Sequence, residues 1–381
     1  MARPIALSFL VPPRHLYVHV PFCARRCAYC DFSIAVRRDV PVADYIDGIR
    51  LELALRARSA GPLELDTLYL GGGTPSRLGG AGVSELLLAI REHARWSDEA
   101  EVTLEANPDD VTRENAERWR EAGVNRVSLG AQSFSPPALA WMRRTHDANQ
   151  IAEAVSLLRE AGIEQLSIDL IFALPESVPR DWEEDLERAL ALRPNHLSLY
   201  GLTVEPHTPL GHWRDRGELT ESPDTRYERD FLLAHALLEA GGFEHYEVSS
   251  YALPGARARH NSSYWRHVPY AAVGPAAHRF DGERRSWNVA PYAEWLRHLR
   301  AGLDPTVEEE LLTPADSAAE RTYTGLRCID GLVLTEEIRA STARWRDAGW
   351  ARIVNDRLQL TALGWLRLDA LAVDLTHAGS R

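Results

Sequence analysis

Six short apolar runs recur through the first 203 residues of this 381-residue chain, and stretches of helical periodicity separate and follow them. The runs are 15–21, 65–71, 101–106, 126–132, 165–173 and 196–203. The amphipathic stretches lie near 41–60, 81–95, 112–123, 136–162, 179–192 and 223–241. Glu121-Ala122-Gly123 and Glu160-Ala161-Gly162 read as glycine stops of helices. Such alternation implies parallel strands joined by right-handed crossovers. Six units are two short of a closed eightfold barrel. The expected fold class is therefore α/β, a partial (β/α)6 TIM-like barrel.

In βα barrels the chemistry collects at the C-terminal strand ends. Here the first strand runs into a cysteine loop, and the second ends in Gly71-Gly72-Gly73-Thr74-Pro75. Glu105 ends the third, Gln132 the fourth, and Thr203 and Glu205 the sixth, while Asp169 lies inside the fifth. A carboxylate within an apolar strand needs a partner, and a pair with Arg144 is the plain explanation. Polar groups at six strand ends predict one site at one mouth.

The cysteine loop is Cys23-Ala24-Arg25-Arg26-Cys27-Ala28-Tyr29-Cys30, with Tyr17 and His19 just upstream and the fourth cysteine, Cys328, far away. Clustered thiols indicate redox chemistry or metal ligation. One disulfide would strand a third thiol. A closed zinc site wants four protein ligands, which His15 or His19 could complete. Iron–sulfur clusters take cysteine thiolates, and three of them leave one iron of a four-iron cubane open. The spacing favours iron–sulfur.

Composition narrows the class further. The formal charge of −12 argues against a nucleic-acid surface. No lysine occurs, so all 43 basic residues are arginine. That excludes a P-loop lysine and any lysine Schiff base. The apolar run at 5–11 is too short to span a bilayer and lacks a clear cleavage site. The expectation is a cytoplasmic protein with reduced thiols.

Cys-x3-Cys-x2-Cys with an aromatic residue before the last cysteine resembles the signature of the radical S-adenosylmethionine (SAM) superfamily. The longer string Leu16-Tyr17-Val18-His19-Val20-Pro21-Phe22-Cys23 is similar to the branch of oxygen-independent coproporphyrinogen III oxidases and HemW-type heme chaperones. The resemblance implies that Cys23, Cys27 and Cys30 bind a 4Fe–4S cluster whose fourth iron is chelated by SAM. It implies SAM contacts at Gly72, Gly73 and Thr74, ribose contacts at Glu105, and polar cofactor contacts at Tyr17, Gln132, Arg144 and Asp169.

After residue 242 the pattern changes. A strand-like run at His245–Tyr251 precedes His260-Asn261-Ser262-Ser263-Tyr264-Trp265, which resembles the segment of HemW proteins proposed to hold heme, with His260 as axial ligand. Residues 291–302 read as a helix, and Pro305–Pro314, with Glu308-Glu309-Glu310, as an acidic linker. The tail reads as short helices and then a hairpin about Asn355-Asp356, a winged-helix-like unit in which Cys328 is a buried, inert thiol. The expected domains are 1–242, the barrel; 243–304, its extension with the HNSSYW segment; and 305–381, the mainly helical tail.

Position 32 separates the two branch members. The oxidases carry a further cysteine two residues after the third, where this chain has Phe32. About fifteen residues precede Leu16, fewer than the oxidases' extension. The resemblance thus implies a heme chaperone binding heme, SAM and a 4Fe–4S cluster, with a heme-accepting protein, soluble or membrane-bound, as partner. The alternative is an enzyme, oxidatively decarboxylating coproporphyrinogen III by a 5′-deoxyadenosyl radical. A zinc-stabilised winged-helix regulator is the third reading, against which the acidity counts.

Overall fold

A computed structural model describes residues 12–378. The apolar run at 5–11 lies outside the described residues, apart from which no helix is long and apolar enough to cross a membrane. The main sheet has nine strands: β1 (His15–Val20), β2 (Leu63–Gly72), β3 (Ala94–Ala106), β4 (Arg126–Gln132), β5 (Gln165–Phe172), β6 (His196–Gly201), β7 (Glu244–Glu247), β8 (Ser250–Ala252) and β9 (Ala271–Val273). Their order is β9-β1-β2-β3-β4-β5-β6-β8-β7. The six expected strands are all present, parallel and in chain order. Two additions extend the expected six: β9 runs parallel along β1, and β8 pairs antiparallel with β6 and β7.

The period of two along each strand divides its side chains between two environments. Leu16, Val18, Val20, Leu68, Leu70 and Leu104 face the helices and join Tyr45, Ile46, Ile49 and Leu86 in the main core. The alternate residues face the barrel interior. There the register sets Tyr17 beside Tyr69, Glu105 beside Ser128 and Asp169 beside Ser198. The barrel is therefore greasy outside its sheet and polar within.

A buried carboxylate ties the barrel to its extension. Glu52, fully buried on the helix Val42–Ala60, accepts bonds from Arg56 (2.6 Å), Asn288 Nδ2 (2.7 Å), Trp295 Nε1 (2.9 Å) and the Gly274 N–H (2.9 Å). Charge and every lone pair are thus compensated.

Four sequence expectations are corrected. The stretch 136–162 is two helices, Pro136–Trp141 and Ala148–Glu160. Arg143 takes a left-handed φ of 60°, which a helix cannot hold, and Asp147 caps the second helix from its side chain. Strand β3 begins at Ala94, ahead of the expected 101. The run His245–Tyr251 folds back on itself as the β7–β8 hairpin. The acidic linker is a strand, Thr306–Leu311, on the edge of a sheet with His278–Phe280 and Arg284–Asn288. Arginines explain it: Glu309 meets Arg284 at 2.6 Å, and Glu310 lies opposite Arg285 in register.

The tail runs as the helix Pro314–Arg327, the strand Leu332–Val333, two short helices, the hairpin Ala351–Val354 and Arg357–Leu360, and the closing helices Ala362–Trp365 and Leu368–Ala378. Asn355 and Asp356 form the hairpin's two-residue turn, both at positive φ, 49° and 55°. Arg327 anchors the tail to β7 through Glu247 at 2.8 Å.

Candidate functional site at the barrel mouth

A cavity of about 400 Å³ opens at the C-terminal ends of β1–β6. Its walls include Cys23, Cys27, Cys30, Gly72, Gly73 and Thr74. Glu105, Gln132, Arg144 and Asp169 complete the predicted set there, with Thr203 and Glu205 from the end of β6. Ten of the twelve residues to which the resemblance gives a cofactor role therefore meet in one place, together with Thr203 and Glu205.

The cysteine loop is preshaped by backbone bonds. Ala28 donates its N–H to the Met142 carbonyl (3.1 Å) and accepts from Leu210 (3.0 Å), while Ala35 donates to the Pro21 carbonyl (2.7 Å). All three thiols are free. Cys23 Sγ lies 3.3 Å from Thr74 Oγ1, and Cys27 Sγ accepts from the Arg144 guanidinium at 3.3 Å. Burial pushes the Cys23 thiol up to about 11 and raises Cys30 as well. Such thiols ionise only for a centre that brings its own positive charge.

The glycine run is required by close approach. A Cβ on Gly73 would stand 2.6 Å from the Pro21 carbonyl carbon, and Gly72 has a φ of 110°. The Gly72 N–H donates to Glu105 Oε2 (3.0 Å), and Tyr69 donates its hydroxyl to Glu105 Oε1 (2.7 Å). Among the described residues no cation touches Glu105, and burial pushes its carboxyl up to about 7. Asp169, also raised by burial, accepts from Ser128 (2.8 Å) and Ser167 (3.0 Å).

Arg144 does not pair with Asp169, as the plain explanation had it. Its guanidinium spans Asn107 Oδ1 (2.6 Å), the Gly130 carbonyl (2.9 Å) and Cys27, leaving Nε without a partner. The break in the helical stretch delivers it to the mouth. Gln132 and Arg143 both hold positive φ here, 68° and 60°. Backbone strain at a cavity wall marks a site whose geometry is imposed by its surroundings.

Tyr17 and His260 stand outside this cavity. Tyr17 packs below it, stacked on Tyr69 with ring centres 6.0 Å apart, its hydroxyl on His19 Nδ1 at 3.1 Å. His260 opens the helix Arg259–Trp265 and is wholly buried, 5.1 Å from the Tyr69 ring. Its Nδ1 meets Thr67 Oγ1 and its Nε2 meets Tyr264 Oη, both at 2.7 Å. Burial lowers its pKa to about 3, so the imidazole is neutral. Neither His15 nor His19 joins the thiols: His15 binds Thr67 at 2.9 Å, and both His19 nitrogens are taken by Tyr17 and the Ser33 carbonyl. Among the described residues no three His, Cys, Asp or Glu converge as ligands of a single ion. Three free thiols spread over a cavity wall, with an arginine at one sulfur, suit a larger sulfur-ligated cluster, and the glycine edge and carboxylates beside them suit a polar ligand next to it.

Tyr69 and Asn107 escaped the sequence reading. Each lies two residues from a singled-out one, Tyr69 before Gly71 and Asn107 after Glu105, and the two-residue strand period would have pointed to Tyr69.

With this geometry in hand, residues 17–189 match the family model of the radical SAM superfamily. The chain is 35% identical to the heme chaperone HemW of Mycobacterium tuberculosis over 378 residues, 97% of each chain. It is 33% identical to HemW of Synechocystis sp. over 92% of this chain and 89% of that one, and 38% identical to HemW of Escherichia coli over 70% of each. Among solved structures, the coproporphyrinogen III oxidase HemN of Escherichia coli superposes with a TM-score of 0.79, at 23% identity, over 96% of this chain and 90% of that one. That likeness bears on the fold: the nine-stranded sheet is a radical SAM barrel. The chain belongs to the HemW family of the radical SAM superfamily.

Proposed function

We propose that this protein is a heme chaperone of the cytoplasm, which binds heme and a SAM-ligated 4Fe–4S cluster and passes the heme to an acceptor protein. Cys23, Cys27 and Cys30 would hold the cluster. Gly72, Gly73 and Thr74 would offer backbone and hydroxyl groups to SAM, Glu105 would accept from its ribose, and Gln132 and Asp169 would offer further polar contacts. When bound, such a cluster supplies an open iron and an electron. Arg144 would place positive charge against Cys27, and Tyr69 would orient Glu105 from below.

The observation that carries the chaperone reading is Phe32. It lines the mouth and is 59% exposed, at the position where the oxidases carry another thiol. The end-to-end similarity to HemW proteins supports the same choice. His260 would serve as the axial heme ligand once Tyr264 swings from its Nε2. A neutral imidazole is the form an iron needs.

The test is anaerobic reconstitution with iron, sulfide and heme, for the wild type, Cys27→Ala and His260→Ala. We expect four irons in the wild type and in His260→Ala, a cluster lost in Cys27→Ala, and heme weakened only in His260→Ala. Incubation with SAM, reductant and coproporphyrinogen III should give no protoporphyrinogen. Product formation with little retained heme would establish the oxidase instead.

A further inference from the structure

The chain has a second cavity, away from the mouth and more apolar in its lining. It measures about 540 Å³ and lies between the HNSSYW helix, the sheet of 278–311 and the tail helices Pro314–Arg327 and Leu368–Ala378. Tyr264, Trp265, Tyr270, Phe280 and Tyr323 make its aromatic wall. Small side chains, Ala319, Ala372 and Val373, make the opposite side. Tyr323 is 37% exposed and Val373 53%, so the chamber is open to solvent on this side.

An adjoining cleft shares Trp265, His267 and Thr324 with this cavity and has the opposite chemistry. Four arginines line it: Arg257, Arg266, Arg321 and Arg357. Arg257 is committed to Glu244 (2.7 Å) and Asp330 (3.0 Å), and Arg357 to the Gly331 carbonyl (2.6 Å). Arg266 and Arg321 are exposed and form no ion pair among the described residues. A mostly apolar chamber, with the ion-paired Arg285 and Glu320 and Asp369 in its wall, thus opens beside two uncommitted guanidiniums. The complement of that pair is a planar aromatic macrocycle with carboxylates along one edge.

We propose that this chamber is the seat of the heme, with its ring against the aromatic wall and its propionates on Arg266 and Arg321. The inference rests on the heme-chaperone reading and adds the place and the recognition chemistry. The mouth, about 400 Å³, is committed to cluster and SAM in that reading, so the heme needs room of its own. Tyr264 links the two sites: it walls the chamber, and its hydroxyl meets His260 Nε2 at 2.7 Å. The volume lies within the 300–1,000 Å³ range of small-molecule pockets. Guanidiniums are the usual partners of carboxylates.

The experiment is a titration of the cluster-reconstituted full chain, by Soret absorbance, with hemin and with hemin dimethyl ester. Ala372→Trp fills the chamber and should weaken both ligands at least about tenfold. The double variant Arg266→Glu, Arg321→Glu lies on the surface, so it tests the proposal even where Ala372→Trp fails to fold. It should weaken hemin about tenfold and leave the ester unchanged. Iron content and circular dichroism should match the wild type throughout. If the wild type binds hemin and both variants bind it equally well, the chamber is not the seat, and the heme reading survives. A wild type that binds no hemin overturns the heme reading and this inference with it.

Discussion

Glu52, on a helix outside the barrel sheet, and Glu105, on a strand facing the barrel interior, are two carboxylates that the fold treats in opposite ways. Glu52 has a guanidinium, an amide, an indole and a backbone N–H around it. Glu105 has one phenol and one backbone N–H, and burial pushes its carboxyl up to about 7. A buried charge left short of partners costs stability. Glu52 is a completed joint between the barrel and its extension. Glu105 sits on a cavity wall with hydrogen-bonding capacity to spare, as a ligand-binding group should.

The largest effect should come from breaking the completed joint. Glu52→Ala takes the close carboxylate from the buried Arg56, leaving Asp304 at 3.9 Å as its acidic partner, and strands the donors of Asn288, Trp295 and Gly274, so urea unfolding should show a loss of about 3–5 kcal/mol. An equal loss in Glu105→Ala would erase the distinction. Glu105→Gln keeps the volume and removes the costly charge, its carbonyl accepting from the Gly72 N–H and its amide donating to the Tyr69 hydroxyl. Its stability at pH 8 should equal or exceed that of the wild type, while SAM binding, read by equilibrium dialysis, should weaken at least about tenfold.

The pH dependence sharpens the same contrast. The Glu105 carboxyl is raised in the folded state, so the native protein holds a proton that the unfolded chain has already lost. Its contribution to stability is present below about pH 4.5 and declines as pH rises toward about 7. Subtracting the Glu105→Gln curve from the wild type should reveal that decline, and two parallel curves would contradict it. The smallest effect belongs to an exposed carboxylate: Asp66 pairs with Arg14 at 2.5 Å on the surface, and Asp66→Asn should cost less than about 1 kcal/mol.

The barrel and most of its mouth were legible because their signals are local. Each strand is a short apolar run, and each site residue sits at or near a strand end, so periodicity and topology suffice to converge Cys23, Gly73, Glu105 and Asp169. Arg144 was legible as a residue but not as a position, since its placement depends on Arg143 leaving the helix. The acidic strand Thr306–Leu311 read as a linker because its partner arginines lie 25 residues upstream in another strand. The aromatic chamber was hidden for the same reason. Its walls come from residues 264–285, 319–324 and 369–376, and no spacing rule joins them. His260 shows the converse: its motif was plain, yet its burial behind Tyr264 follows only from the helix lying across β2.

The measurement that tests this account most directly is the electron paramagnetic resonance spectrum of the reconstituted, reduced protein with and without SAM. The account predicts four irons per chain and a cluster signal that changes when SAM is added, with the change lost in Glu105→Gln. Zinc in place of iron, or a four-iron spectrum indifferent to SAM, would contradict it.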